Sequence, residues 1–148
     1  MDELDLRIRN HLYASFVRDG TGASVAGAAE ALQLPAVVVA DAFRRLHEAH
    51  ALVLEPDSIE IRMLNPFSAV ATPHRVVADG RRWFANCAWD ALGIPAALQT
   101  DGAIESSCPD CGERVELEVR DGELVRGAEL LVHFVVPARH WWDDIAFT

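Results

Sequence analysis

Leu4, Ile8, Leu12 and Phe16 recur every four residues, the spacing of one face of a helix. Asp19-Gly20-Thr21-Gly22 breaks that rhythm and predicts a loop. Ser24 is suited to cap a second, short helix that runs to Leu32 and carries Val25, Ala28 and Ala29. Leu34-Pro35 reads as a turn. A third helix is expected from Ala36 to His50, with Val39, Ala42, Phe43 and Leu46 inward. The period then changes: Leu52–Leu54 and Ile59–Met63 read as strands around Pro56-Asp57-Ser58. Three helices followed by a hairpin is the order of a winged helix-turn-helix, and residues 1–64 form the first expected domain.

Residues 65–148 read mostly as β structure. Thr72–Val77 and Arg82–Ala85 are expected strands around Asp79-Gly80, and Ala103–Ser106 is another. Arg114–Arg120 alternates apolar with charged residues, the mark of a half-buried strand, and Asp121-Gly122 after it is a hairpin signal. Leu130–Val136 is apolar enough to predict a central strand. The fold class expected is α+β: a helical domain, then a mixed, mainly antiparallel β domain with one short helix.

Composition narrows the function classes. Half of the 148 residues are hydrophobic and no apolar run has bilayer length, so no membrane partner is expected. The start Met1-Asp2-Glu3-Leu4-Asp5 has no signal-peptide pattern, and three cysteines, an odd number, fit a reducing compartment; a cytoplasmic protein is expected. The net charge is −10 and every basic residue is arginine. Nucleic-acid binding depends on neutralising phosphates, and Arg44 and Arg45 are countered by Asp41 and Glu48 on the same predicted helix. A packing or homodimerisation role for the first domain is preferred to DNA binding.

The segment Arg81–Pro95 carries the chemistry. Asn86 is a suitable N-cap for a helix ending at Pro95, which puts Cys87 in the first turn, where free N–H groups favour a thiolate. Asp90, three residues on, shares its face. The plain alternative is a small buried cysteine with Asp90 facing water. Cys108 and Cys111 form one Cys-x-x-Cys at a turn: a packed turn, half of a site for zinc or another soft metal, or a redox dithiol. Completing a zinc site would need two of Cys87, His74, His133 and His140. His133 reads as a core or edge histidine. Trp83, Trp89, Trp141 and Trp142 either cap the core or border an apolar substrate pocket. Asp143 and Asp144 read as solvated or capping residues.

From Asn65 to Thr148 the chain resembles the catalytic domain of the alkylmercury (organomercurial) lyases. The matching residues are Asn65-Pro66-Phe67-Ser68, Arg82 to Leu92, Ser106-Ser107-Cys108, Val115 to Val119 and Val135-Val136-Pro137. The resemblance implies protonolysis of a carbon–mercury bond to a hydrocarbon and Hg(II), with no cofactor and a role in mercury resistance. Cys87 would ligate mercury and Asp90 would carry the proton. It also implies an organomercurial or soft-metal ligand and hand-off of Hg(II) to a mercury-handling protein. Cys108 matches a structural cysteine of the family, whereas Cys111 matches no assigned position. The family's second catalytic cysteine follows an aromatic stretch resembling Trp141–Thr148, and none of the 148 residues matches it. Impaired turnover is therefore an expectation, with Cys111 or an external thiol as substitute ligand. The rival functions are a non-catalytic binder or sensor of Hg, Cu or Zn, and a winged-helix transcriptional regulator.

Overall fold

The computed structural model describes residues 1–145, in two compact units that divide after Val70. The first unit opens with α1 (Glu3–Asp19), α2 (Val25–Leu32) and α3 (Ala36–Glu48). Asp2 and Asp5 begin α1 as a capping box: the Asp5 N–H donates to Asp2 Oδ1 at 2.8 Å, and the Asp2 N–H donates to Asp5 Oδ2. Ser24 caps α2 through its hydroxyl. The predicted inward residues are buried: Ile8, Leu12 and Phe16 from α1, and Val39, Ala42, Phe43 and Leu46 from α3. Asp5 is buried too, and Arg45 Nη2 donates to it at 2.6 Å, tying α3 to the start of α1. That pair holds the Asp5 carboxyl below its ordinary range, burial opposing it only in part.

Strands β1 (Val53–Leu54), β2 (Ile61–Leu64) and β3 (Phe67–Ser68) complete this unit as an antiparallel ribbon. Phe67 stacks on Phe16 with ring centroids 5.6 Å apart, so the ribbon shares the helical core.

The second unit contains β4 (Arg75–Ala78), β5 (Arg81–Ala85), α4 (Ala88–Leu98), β6 (Gly102–Ser107), β7 (Arg114–Arg120) and β8 (Glu123–Arg126). The strands lie in the order β5-β4-β6-β7-β8, and each adjacent pair is antiparallel. The Asp79-Gly80 and Asp121-Gly122 turns place both central residues at positive φ, which matches hairpin twist. Trp83, Val76, Ile104 and Leu117 form one row across the buried face. Helix α4 covers that face with Ala91, Ile94 and Pro95. A side chain at Gly102 would meet Pro95 Cγ at 2.8 Å, so glycine is what lets helix and sheet close up.

Two elements differ from expectation. Leu130–Val136 is not a strand: β8 already pairs with β7, and the chain turns at Gly127 with φ +84°. Leu131 is 94% exposed and His133 is exposed, so His133 is neither a core nor a strand-edge residue. An apolar run supplies β-propensity but does not choose a pairing partner. Helix α4 also does not stop at Pro95. It runs to Leu98, where Gln99 adopts the left-handed conformation and closes it.

Among the described residues no single helix is long and apolar enough to cross a membrane.

Candidate active site

Strand β5 delivers the chain to the start of α4, and the corner is held from behind. Thr72 Oγ1 donates to the Ala85 carbonyl at 2.6 Å, the Ala85 N–H donates to the His74 carbonyl, and His74 Nδ1 lies 2.8 Å from Ser106 Oγ. Burial lowers the pKa of His74, so the ring is neutral near pH 7. Ser106 is buried and has this ring as partner, which satisfies its hydroxyl. Residue spacing alone does not reveal this pair, whose members lie 32 positions apart. The available signal was a serine where the alternation of β6, after Gly102 and Ile104, calls for a core residue.

Cys87 itself, not Asn86, is the N-cap, with extended backbone (φ −142°). Its sulfur takes the place usually filled by a serine or aspartate oxygen: it accepts the Asp90 N–H at 3.4 Å. The Cys87 thiol in turn donates to Asp90 Oδ2 at 3.5 Å. The pair expected from the i, i+3 spacing is therefore in contact. The expected thiolate is not favoured. Burial raises the Cys87 pKa to about 11, the amides of Asp90 and Trp89 lower it only in part, and the Asp90 charge raises it further. At neutral pH the sulfur keeps its proton and offers it to the neighbouring carboxylate.

The other sequence-selected residues are scattered. Trp83 is buried in the sheet, Trp89 is 61% exposed, and Trp141 sets its ring 4.7 Å from Phe134 and its indole N–H on the Val136 carbonyl. Trp142 is exposed, and Asp143 lies 2.9 Å from His140. A cleft of about 340 Å³ opens near Asp79, Gly102 and Val119, and no tryptophan lines it. Ala146, Phe147 and Thr148, the end of the aromatic stretch noted above, lie outside the described residues.

Cys108 and Cys111 sit in the turn between β6 and β7, half-buried and exposed respectively, and all three cysteines are free thiols. The amides of Cys111 and Asp110, with the Cys111 thiol, hold the Cys108 thiol below its ordinary range. Among the described residues no three of His, Cys, Asp and Glu converge on one point. The closed zinc site that would draw on Cys87, His74, His133 or His140 is thus not assembled. His74 is engaged with Ser106 and His140 with Asp143.

The Cys87–Asp90 corner and the sheet behind it fall within residues 67–148, which match the family profile of MerB, alkylmercury lyase. The chain belongs to the alkylmercury lyase family. Alkylmercury lyases of Bacillus cereus and Clostridium butyricum are each 38% identical to it over 56 residues. That stretch is 38% of this chain and 26% of each relative. The crystal structure of the mercury-bound form of MerB2 is similar with a TM-score of 0.70 and 26% identity, over 85% of this chain and 60% of that one. The α+β order of helices followed by antiparallel sheet is thus shared with a lyase-family structure, while the chain spans only part of the length of these relatives.

Proposed function

We propose that this chain cleaves carbon–mercury bonds by protonolysis, with Cys87 as the mercury ligand and Asp90 as the proton carrier. The observation that carries the proposal is the thiol donating to Asp90 Oδ2 at 3.5 Å. A soft organomercury cation R–Hg⁺ is captured by sulfur, and metal binding displaces the thiol proton. Asp90 receives that proton. A second thiolate, from an external thiol, adds to mercury and raises electron density on the Hg–C bond. The bond then breaks, its electron pair goes to carbon, and Asp90 returns the proton to give R–H. Mercury stays Hg(II), held by two thiolates. The high pKa of Cys87 suits this sequence, because the proton that leaves with the hydrocarbon is stored on the sulfur beforehand. The shared corner means that neither group has to travel far to transfer it.

The His74–Ser106 pair and Thr72 serve as positioning groups behind the corner. Hg(II) release to a mercury-handling protein and a role in mercury resistance follow from this reading. For the first unit we propose a winged-helix-like module without DNA binding, supported by α1–α3 followed by the β1–β2 ribbon. Arg44, Arg45 and Arg62 are paired with Asp41, Asp5 and Glu55, which leaves these cations committed to carboxylates within the unit.

Single-turnover release of benzene from phenylmercury, in excess thiol, tests the reading beside Cys87→Ser and Asp90→Asn. Benzene from the parent chain and none from either variant is the expected result. Mercury held at Cys87 with no benzene from the parent would overturn it in favour of a soft-metal binder.

A further inference from the structure

The turn Cys108-Pro109-Asp110-Cys111-Gly112 is closed by two backbone hydrogen bonds. The Cys108 N–H donates to the Glu113 carbonyl at 2.8 Å, and the Gly112 N–H donates to the Cys108 carbonyl at 2.9 Å. Gly112 has φ +74°, a conformation that a side chain would strain, so glycine suits the close of this turn. Both thiols are free, and Cys111 is exposed. The strand register decides where the turn lies. Ala85, His74 and Ser106 are neighbours across β5, β4 and β6. Cys87 is two residues beyond Ala85, and Cys108 is two residues beyond Ser106. Both cysteines therefore follow strands that leave the same end of the sheet, with the strand ends about two strand spacings or ~10 Å apart.

We infer that Cys108 and Cys111 form a dithiol site for Hg(II) that takes the metal from Cys87 after the hydrocarbon has left. The site as a receptor stands on the turn geometry; its supply of Hg(II) rests on the proposed lyase reading. A pair of thiols with no third donor converging on it among the described residues is a poor host for zinc, which takes four ligands. Hg(II), a soft cation content with two thiolates, needs no more than this turn provides. Once one sulfur has bound, the short turn holds the other nearby at high effective concentration, so a chelate outcompetes single thiols.

The transfer is ligand exchange without redox change. The Cys108 and Cys111 sulfurs form two Hg–S bonds, while the bonds from mercury to Cys87 and to the external thiolate break. The two thiol protons of Cys108 and Cys111 pass to the released Cys87 sulfur and to the departing external thiolate.

The test is retention of Hg(II) against excess monothiol, read by native mass spectrometry on protein treated with HgCl2. Cys87→Ser should keep one Hg(II). Cys87→Ser/Cys108→Ser and Cys87→Ser/Cys111→Ser should lose it, and all three should keep the far-UV dichroism of the parent. Stripping of Cys87→Ser, or retention by both double variants, would overturn the inference. Benzene release in the parent assay is read separately. Turnover with no mercury retained by Cys87→Ser sinks the dithiol site alone, and retention without turnover sinks the lyase reading alone.

Discussion

Cys87 should be a slow nucleophile in the resting protein, and Asp90 should be part of the reason. Its pKa of about 11, against 9.0 for an ordinary cysteine, follows first from burial and then from the nearby carboxylate. At pH 8 about one Cys87 in a thousand would be ionised, against about one ordinary thiol in ten. A more basic thiolate is intrinsically more reactive, which recovers roughly a factor of ten of that hundredfold deficit. The net expectation is alkylation about tenfold slower than a free thiol at pH 8, rising about tenfold per pH unit without a plateau below pH 10. Cys108, whose pKa is lowered by its turn, should react before Cys87. The Asp90→Asn change removes the carboxylate charge while keeping the Asp90 backbone amide on the sulfur. It should speed Cys87 labelling at pH 8 by about two- to threefold. Isotope-coded iodoacetamide with peptide mass spectrometry reports each cysteine separately in one sample. Labelling of Cys87 as fast as Cys108 at pH 8, or slower labelling in Asp90→Asn, would refute the half-buried thiol–carboxylate pair.

The same shift has a stability signature. Between pH 9 and about 11 the unfolded chain loses the Cys87 proton while the folded chain retains it, so stability should fall with rising pH over that window and less steeply in Cys87→Ser, as followed by urea titration. Asp5→Ala removes one arm of the α1 capping box and leaves Arg45 without its buried partner. It should cost about 1–3 kcal/mol by chemical denaturation, and in the parent the stabilisation from the lowered Asp5 pKa should fade as pH falls through and below 3.8. Gly102→Ala drives a methyl into Pro95 and should cost about 1–3 kcal/mol, while a parent-like melting temperature would show that α4 does not sit against β6 as described.

Much of this protein could be read from local pattern. The three first-unit helices, the Ser24 cap, the β7 alternation and the Asp-Gly hairpins are set by residue type and short spacing, and the structure reproduces them. The contact between Cys87 and Asp90 is local too, because residues three apart around a helix start meet whatever the rest of the fold does. Other features depend on what surrounds a residue. Leu130–Val136 has strand composition, but β8 occupies the edge of β7. Pro95 reads as a stop, yet it is accommodated inside α4 against Gly102. A helix N-terminus suggests a thiolate at Cys87, but desolvation is a property of the packed corner and it outweighs the amides. The pairing of His74 with Ser106, and the placing of Cys87 and Cys108 at one end of the sheet, come from strand register across residues more than twenty apart. The sequence by itself determined which groups are candidates for chemistry and which near neighbours touch. Burial and register, which sum contributions from distant parts of the chain, decided where the protons reside and which thiols share an end of the sheet.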